Sequence, residues 1–323
     1  MLAEKTVLLP VSTDEAFALI TEPDRLRRWK TVSARVDLRA GGAYRWTIVP
    51  GHVAAGTFTE IEPGRRIVFG WGWEGSPDLA PDASTVTVTL EPVDGGTLVR
   101  LVHEGLTEEQ LASHMVGWNH FFERLERAAA TGDAGPDEWV AVPADLDQLS
   151  SADATLAVCQ QVLRGIDDQL DRPTPCSDFT VGQLVDHLIG SLVGLGALAG
   201  TTVVPAESGT AESRVASAAQ QGLEAWSKRG LDGTVTFGGD EIAATQAASI
   251  LSLELLVHGW DLAVATGQEL TVSDEVTAYV LELAHQVISP EGRQAGAFAA
   301  AVATGADADN LERLIALSGR AAA

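Results

Sequence analysis

Glu254 and His258 stand four residues apart in Ser-Leu-Glu-Leu-Leu-Val-His-Gly-Trp-Asp, residues 252–261. An α-helix turns once per ~3.6 residues, so positions i and i+4 share a face and their side chains can converge on one point. The run is apolar, with Leu251, Leu253, Leu255 and Leu256 around Glu254, and a carboxylate in such surroundings needs a partner because desolvating it is costly. A divalent cation would satisfy both the carboxylate and the imidazole. It needs a third ligand, and His187 in Val-Gly-Gln-Leu-Val-Asp-His-Leu-Ile-Gly is the candidate. Two nitrogens and a carboxylate leave a fourth tetrahedral position open, the arrangement of a catalytic rather than a structural zinc. Asp261, three residues after His258, can hold the histidine tautomer from behind. The competing account has two partly buried histidines and a solvated glutamate, which is the commoner fate of an isolated E-x-x-x-H because helix charges usually face water.

The elements that must position these groups fall into two sets. A chain of 323 residues suggests two domains at about 150 residues each. Residues 1–130 read as strands at Arg35–Leu38, Ala43–Val49, Gly56–Ile61, Ile67–Trp73, Thr85–Leu90 and Thr97–His103, separated by Gly41-Gly42, Glu62-Pro63-Gly64 and Asp94-Gly95-Gly96, the punctuation of an antiparallel meander. Helical patterns bracket them near Thr13–Ile20 and from Thr107 to Ala130, the latter with Leu111, Met115, Trp118, Phe122 and Leu125 at helical spacing. A helix laid across a curved sheet can enclose a cavity. Trp71, Trp73, His103, His114 and Trp118 are the candidate substrate-binding residues of that cavity, against the alternative of a packed aromatic core.

Residues 131–143 contain two glycines and two prolines without periodicity, and read as a linker. Beyond it, residues 144–323 read as helices: Ser151–Leu170, a segment opened by the Thr180/Gln183 capping box, Ala211–Arg229, the long stretch carrying Glu254 and His258 up to Gly267, Asp274–Ile288, and a short one closed by Ser318-Gly319-Arg320. A lone strand is expected at Thr234–Phe237. Helices of this length with short connections predict a bundle, whose core is a common place for metal ligands.

The net charge of −24 argues against nucleic acid and anionic membrane surfaces, both of which would be repelled; small molecules or proteins are the expected partners. The acidity is uneven, with 13 basic and 21 acidic side chains through residue 143 and 8 and 24 beyond it. Two cysteines, Cys159 and Cys176, are too few for a disulfide framework and fit a reducing compartment. Cys176 reads as structural, with activation at a helix N-terminus as the alternative. No signal-like run opens the chain, and Leu188–Val204 is interrupted by glycine, proline and polar residues, unlike a span of ~20 apolar residues. These features predict a cytoplasmic protein. They leave its oligomeric state open.

Two resemblances add to this reading. Pro10-Val11-Ser12-Thr13-Asp14-Glu15-Ala16-Phe17, Glu62-Pro63-Gly64-Arg65-Arg66-Ile67, and Leu101-Val102-His103-Glu104-Gly105-Leu106 followed by His114 and Gly117-Trp118 make residues 5–130 resemble the Aha1-like branch of the START/SRPBCC helix-grip superfamily. The resemblance implies an α+β helix-grip fold whose members bind varied apolar ligands, some of them as enzymes. Arg172-Pro173-Thr174-Pro175-Cys176, Leu184-Val185-Asp186-His187, Glu254 through Ala263, Ala265-Thr266-Gly267 and Leu314 through Arg320 make the second half similar to the DinB-like, mycothiol-dependent maleylpyruvate isomerase group. That similarity implies an all-α bundle in which His187, Glu254 and His258 bind a divalent metal, zinc with nickel as the alternative. It further implies catalysis through that metal on a thiol cosubstrate of the mycothiol type. Arg172, Arg214, Arg293 and Arg320 are the basic residues that could anchor such a thiol.

Three functions compete. The first is a metal-dependent thiol transferase or isomerase acting on a small apolar electrophile held by the helix-grip domain. The second is a hydrophobic small-molecule binding or self-resistance protein with a structural metal. The third is cyclase or lyase chemistry in the helix-grip cavity, with His103 or His114 as general acid or base.

Overall fold

A computed structural model describes residues 2–176, 178–290, 293 and 298–321. The chain divides after Asp137 into two compact units. In the first, β1 (Leu2–Leu9), β2 (Ser33–Val36), β3 (Ala43–Val49), β4 (His52–Glu62), β5 (Arg66–Trp73), β6 (Ser84–Val93) and β7 (Gly96–Glu104) form one sheet in the order β1-β7-β6-β5-β4-β3-β2. Every neighbouring pair is antiparallel. Two short helices, α1 (Thr13–Thr21) and α2 (Pro23–Leu26), lie between β1 and β2, and α3 (Glu108–Thr131) follows β7. This is the helix-grip architecture expected from the meander and its bracketing helices.

Strand periodicity builds the core of this unit. Side chains alternate faces along a strand, so Tyr44, Trp46 and Ile48 of β3, Ile67, Phe69 and Trp71 of β5, and Val99, Leu101 and His103 of β7 all turn inward and are buried. Trp118, Phe122 and Leu125 of α3 join the same cluster at helical spacing. The Thr107 capping box starts α3, with Thr107 Oγ1 accepting from the Gln110 N–H and the Gln110 side chain accepting from the Thr107 N–H.

The second unit is mostly helical: α4 (Glu138–Ala141), α5 (Gln148–Leu163), α6 (Val181–Leu198), α7 (Ala211–Arg229), β8 (Thr234–Phe237), β9 (Asp240–Ala243), α8 (Ala244–Thr266), α9 (Asp274–Val287) and α10 (Asn310–Leu317). Three details depart from the sequence expectation. The helix expected over Ser151–Leu170 ends at Leu163, and Leu170 is exposed; the chain turns at Arg164-Gly165, and the carboxylate of Asp167 accepts from the Ala211 N–H at 2.8 Å, a bond that a continued helix would not deliver. The strand at 234–237 is not alone, because Gly238 and Gly239 take positive φ angles and return the chain as β9. The segment read as a linker holds one helical turn, α4.

Helix α8 lies at the centre of this unit against α5, α6 and α9. Gly259 faces α5 at Cys159, where a β-carbon would make ordinary van der Waals contact at 3.6 Å from Cys159 Cα. The hydroxyls of Ser151 and Ser252 join the same two helices at 2.7 Å. Gly267, left-handed at φ 70°, ends α8. By length and composition α6 and α8 could each cross a membrane, but 78% of the most apolar window of α8 is buried inside the unit, so its apolarity is already used in packing.

Candidate metal centre

Helix α6 begins at Thr180, whose hydroxyl accepts from the Gln183 N–H at 3.4 Å while the Gln183 side chain accepts from the Thr180 N–H at 2.9 Å. This cap sets where the helix starts, and so where His187, two turns later, points. Phe179, immediately before the cap, stacks on the His187 imidazole with ring centres 5.0 Å apart and planes 25° apart. Helix α8 supplies Glu254 and His258 on one face.

The three expected ligands come together. Glu254 Oε2 lies 3.6 Å from His187 Nε2 and 3.7 Å from His258 Nε2, and the two imidazoles meet edge to face at 89°. Both contacts are too long for hydrogen bonds. Glu254 Oε2 is buried and has no hydrogen-bond partner among the described residues. A tetrahedral ion with ligands at ~2.0–2.2 Å holds its donor atoms roughly 3.3–3.6 Å apart; the two Glu254 contacts are close to that spacing, and all three donor atoms lie within 4.8 Å of one another. The donor set and the orphaned carboxylate oxygen fit a divalent metal.

Behind this face, His258 Nδ1 bonds Asp261 Oδ2 at 3.0 Å. Asp261 is fully buried, and Arg320 donates to it from Nε to both oxygens at 3.0 and 3.1 Å and from a terminal nitrogen at 2.8 Å. An anionic acceptor places the imidazole proton on Nδ1 and leaves the Nε2 lone pair facing Glu254 and His187. Burial works against the charge on Arg320, but the hydrogen bond and charge of Asp261 leave its pKa above the ordinary value. Burial lowers the pKa of His187 despite the Glu254 carboxylate, favouring the neutral ring that ligates metals.

Cys176 belongs to these surroundings, although its sequence reading was structural. Its Sγ forms with donor atoms of His258 and Asp261 a group that lies within 4.8 Å, and burial raises its pKa above the ordinary thiol value. The four arginines considered as thiol anchors have separate fates. Only Arg320 reaches the site, and there it grips Asp261. Arg172 donates to the Ala265 carbonyl, Arg214 to Asp186, and Arg293 to the Ala299 and Leu317 carbonyls.

In the first unit the five substrate-binding candidates also form one cluster. Trp118 Nε1 donates to His103 Nδ1 at 3.3 Å, and His103 Nε2 bonds the Ser84 hydroxyl at 2.8 Å. The indoles of Trp71 and Trp73 donate to His114 Nε2 at 3.2 and 3.3 Å, and His114 Nδ1 bonds the Gln110 carbonyl at 2.8 Å. Indoles only donate and carbonyls only accept, so both rings are neutral, with the proton on Nε2 in His103 and on Nδ1 in His114. Burial agrees: it pushes His103 down to about 3 and lowers His114. Each acceptor nitrogen already receives an indole N–H.

Lys30, in a basic run that carries no sign of burial, is 6% exposed. Its ammonium lies 4.5 Å from the ring centre of Trp46, 4.8 Å from Trp118, 5.0 Å from Trp71 and 5.7 Å from Trp29. In Arg27-Arg28-Trp29-Lys30 it looks like one more solvated charge.

Comparison with known proteins matches residues 10–130 to the activator of Hsp90 ATPase homolog 1-like protein family and residues 149–225 to the mycothiol maleylpyruvate isomerase N-terminal domain. His187 lies inside the second match; Glu254 and His258 lie beyond it. An uncharacterized protein of Mycobacterium tuberculosis is 29% identical over 131 residues, 40% of this chain and 72% of the relative. Among solved structures, the AHSA1-like protein from Rhizobium etli is 34% identical, covering 45% of this chain and 92% of that one with a TM-score of 0.37. CalU16 from Micromonospora echinospora is 29% identical, covering 41% and 76% with a TM-score of 0.33. The chain therefore carries an Aha1-like helix-grip domain over residues 10–130 and a mycothiol maleylpyruvate isomerase N-terminal domain over residues 149–225, and the helical unit includes a cluster able to hold a metal ion.

Proposed function

We propose that the helical unit is a metal-dependent enzyme that holds a divalent cation, zinc with nickel as the alternative, at His187, Glu254 and His258. It joins a low-molecular-weight thiol of the mycothiol type to a small apolar electrophile, for net transfer or isomerisation, and the helix-grip unit binds that substrate. The supporting observation is the buried, unpartnered Glu254 Oε2 between two imidazole nitrogens, since an orphaned carboxylate oxygen is costly unless a cation belongs there. When bound, the cation lowers the pKa of a coordinated thiol and provides a thiolate nucleophile near neutral pH.

The chain's own groups orient that chemistry. Phe179 fixes the plane of His187, while Asp261 and Arg320 fix the tautomer of His258. Three protein ligands leave a tetrahedral position for the cosubstrate. The reading includes a reducing, cytoplasmic location and small-molecule partners, without nucleic acid or membrane, in keeping with the net charge of −24. Elemental analysis of purified protein, paired with thiol-adduct formation on a panel of electrophiles, tests it. Wild type is expected to carry stoichiometric metal, and His187→Ala and Glu254→Ala to lose both metal and activity. A metal-free variant that still forms adducts would sink the proposal.

A further inference from the structure

Lys30 stands between α2 and β2, in none of the elements of the helix-grip sheet, yet its ammonium is inside the core of that unit. Tryptophan faces from the Lys30 loop itself (Trp29), β3 (Trp46), β5 (Trp71) and α3 (Trp118) surround it within 4.5–5.7 Å. Ring faces attract a cation but do not replace the hydrogen bonds that an ammonium loses on leaving water, and a buried cation ordinarily has an anionic partner. None of the ion pairs among the described residues involves Lys30. Burial lowers its pKa to about 7, which measures how poorly the charge is compensated.

A neighbouring donor is buried and unsatisfied. Trp46 is 1% exposed, and its indole N–H has no hydrogen-bond partner among the described residues. Trp46 and Lys30 line one cavity of about 20 Å³, whose other walls include Phe69, Leu101, Trp118 and Leu125. That space is room for about one water molecule. Three of the four indoles have their orientation set elsewhere, Trp118 by His103, Trp71 by His114 and Trp29 by the Leu19 carbonyl. The histidine pair thus holds up the walls around Lys30, with its own acceptor nitrogens already engaged.

A buried N–H without an acceptor and an ammonium without an ion-pair partner among the described residues, both in otherwise apolar walls, define what is missing: an acceptor oxygen, anionic by preference, on an apolar body. We propose that the helix-grip unit binds apolar monocarboxylic acids, with the carboxylate held by Lys30 Nζ and the Trp46 N–H. The carboxylate displaces the water-sized space at Lys30, and the apolar body parts the side chains between the sheet and α3, a pocket made dominant by its ligand. The inference deepens the part of the proposed function in which this unit holds the substrate, and it needs no metal.

Octanoate and phenylacetate, each beside its neutral primary amide, are titrated by calorimetry into the full-length protein before and after chelator treatment. The wild type is expected to favour acid over amide by roughly 10- to 100-fold, the worth of a hydrogen-bonded charge, with or without chelator. K30M removes a buried charge without changing the bulk of the side chain much and is expected to erase the preference. W46F keeps the ring face and removes the N–H; it is expected to reduce the preference, and it carries the test if K30M does not fold. Equal binding of acid and amide, no saturable binding of either acid, or an intact preference in K30M would overturn the inference. Protein that carries no metal as purified yet keeps the preference would count against the metal reading of the helical unit alone, whereas metal-loaded protein without the preference would count against this one alone.

Discussion

Glu254 is the side chain on which the metal reading turns. One of its oxygens is buried without a hydrogen bond among the described residues, and two imidazole nitrogens face it at 3.6 and 3.7 Å. Asp261 governs how well His258 can serve, because it accepts from that ring and from Arg320 together. Asp261→Asn keeps the shape but removes the anion, so the imidazole proton is no longer tied to Nδ1 and Arg320 loses its counter-charge. Zinc affinity is expected to fall by about 10- to 100-fold, measured by competition with a chromophoric chelator. Unchanged affinity would mean that Asp261 only fills space. The spacing of Glu254 and His258 was legible in the sequence because both lie on one helix, and i, i+4 geometry is local. Lys30 was not, because the residues that enclose it come from β3, β5 and α3, and a lysine in Arg27-Arg28-Trp29-Lys30 gives no sign of which way it points.

Helix α6 links a cap to a ligand. Its start is set by the reciprocal Thr180/Gln183 bonds, and His187 is placed by counting turns from there. Thr180→Ala removes a side-chain acceptor from the first turn and is expected to cost the helical unit about 1 kcal/mol. Calorimetry on metal-free protein would read that loss, and Thr180→Ser should restore most of it. An alanine variant as stable as wild type would show that packing alone holds the start of α6. Such capping signals are local and could be read in advance. The end of α5 could not, since Ile166 and Leu170 continue the apolar period and the chain turns at Gly165 to bring Asp167 to the N-terminus of α7, a contact across 44 residues.

Two of the basic groups buried in the helix-grip unit, His103 and Lys30, tie its stability to pH. His103 has an ordinary pKa of 6.5 that burial lowers to about 3. Between those values the unfolded chain carries a proton that the folded one does not, so the contribution is full above 6.5 and is lost as pH falls toward 3. Lys30 behaves alike in a higher window, from its ordinary 10.5 down to about 7. Stability rises with pH through that window, and below it the fold carries the whole penalty of a buried ammonium, on the order of 5 kcal/mol at most. The unfolding midpoint of this unit should therefore climb between about pH 7 and pH 10 in wild type. K30M should flatten that climb and raise the midpoint at neutral pH. Parallel profiles for the two proteins would place the Lys30 amine in water.

The sequence was enough to anticipate the meander with its long helix, the helical second half and the meeting of His187, Glu254 and His258. Those follow from local periodicity, turn and cap residues, and from motifs that match known domains. Tertiary packing decided the rest. It tied Arg320 to Asp261, brought Cys176 beside His258, engaged the acceptor nitrogens of His103 and His114 with indole donors, and drew Lys30 inside four tryptophans. Each of these depends on which side chains meet across distant segments, and on whether a charge or a lone pair finds its partner there, which no spacing along the chain records.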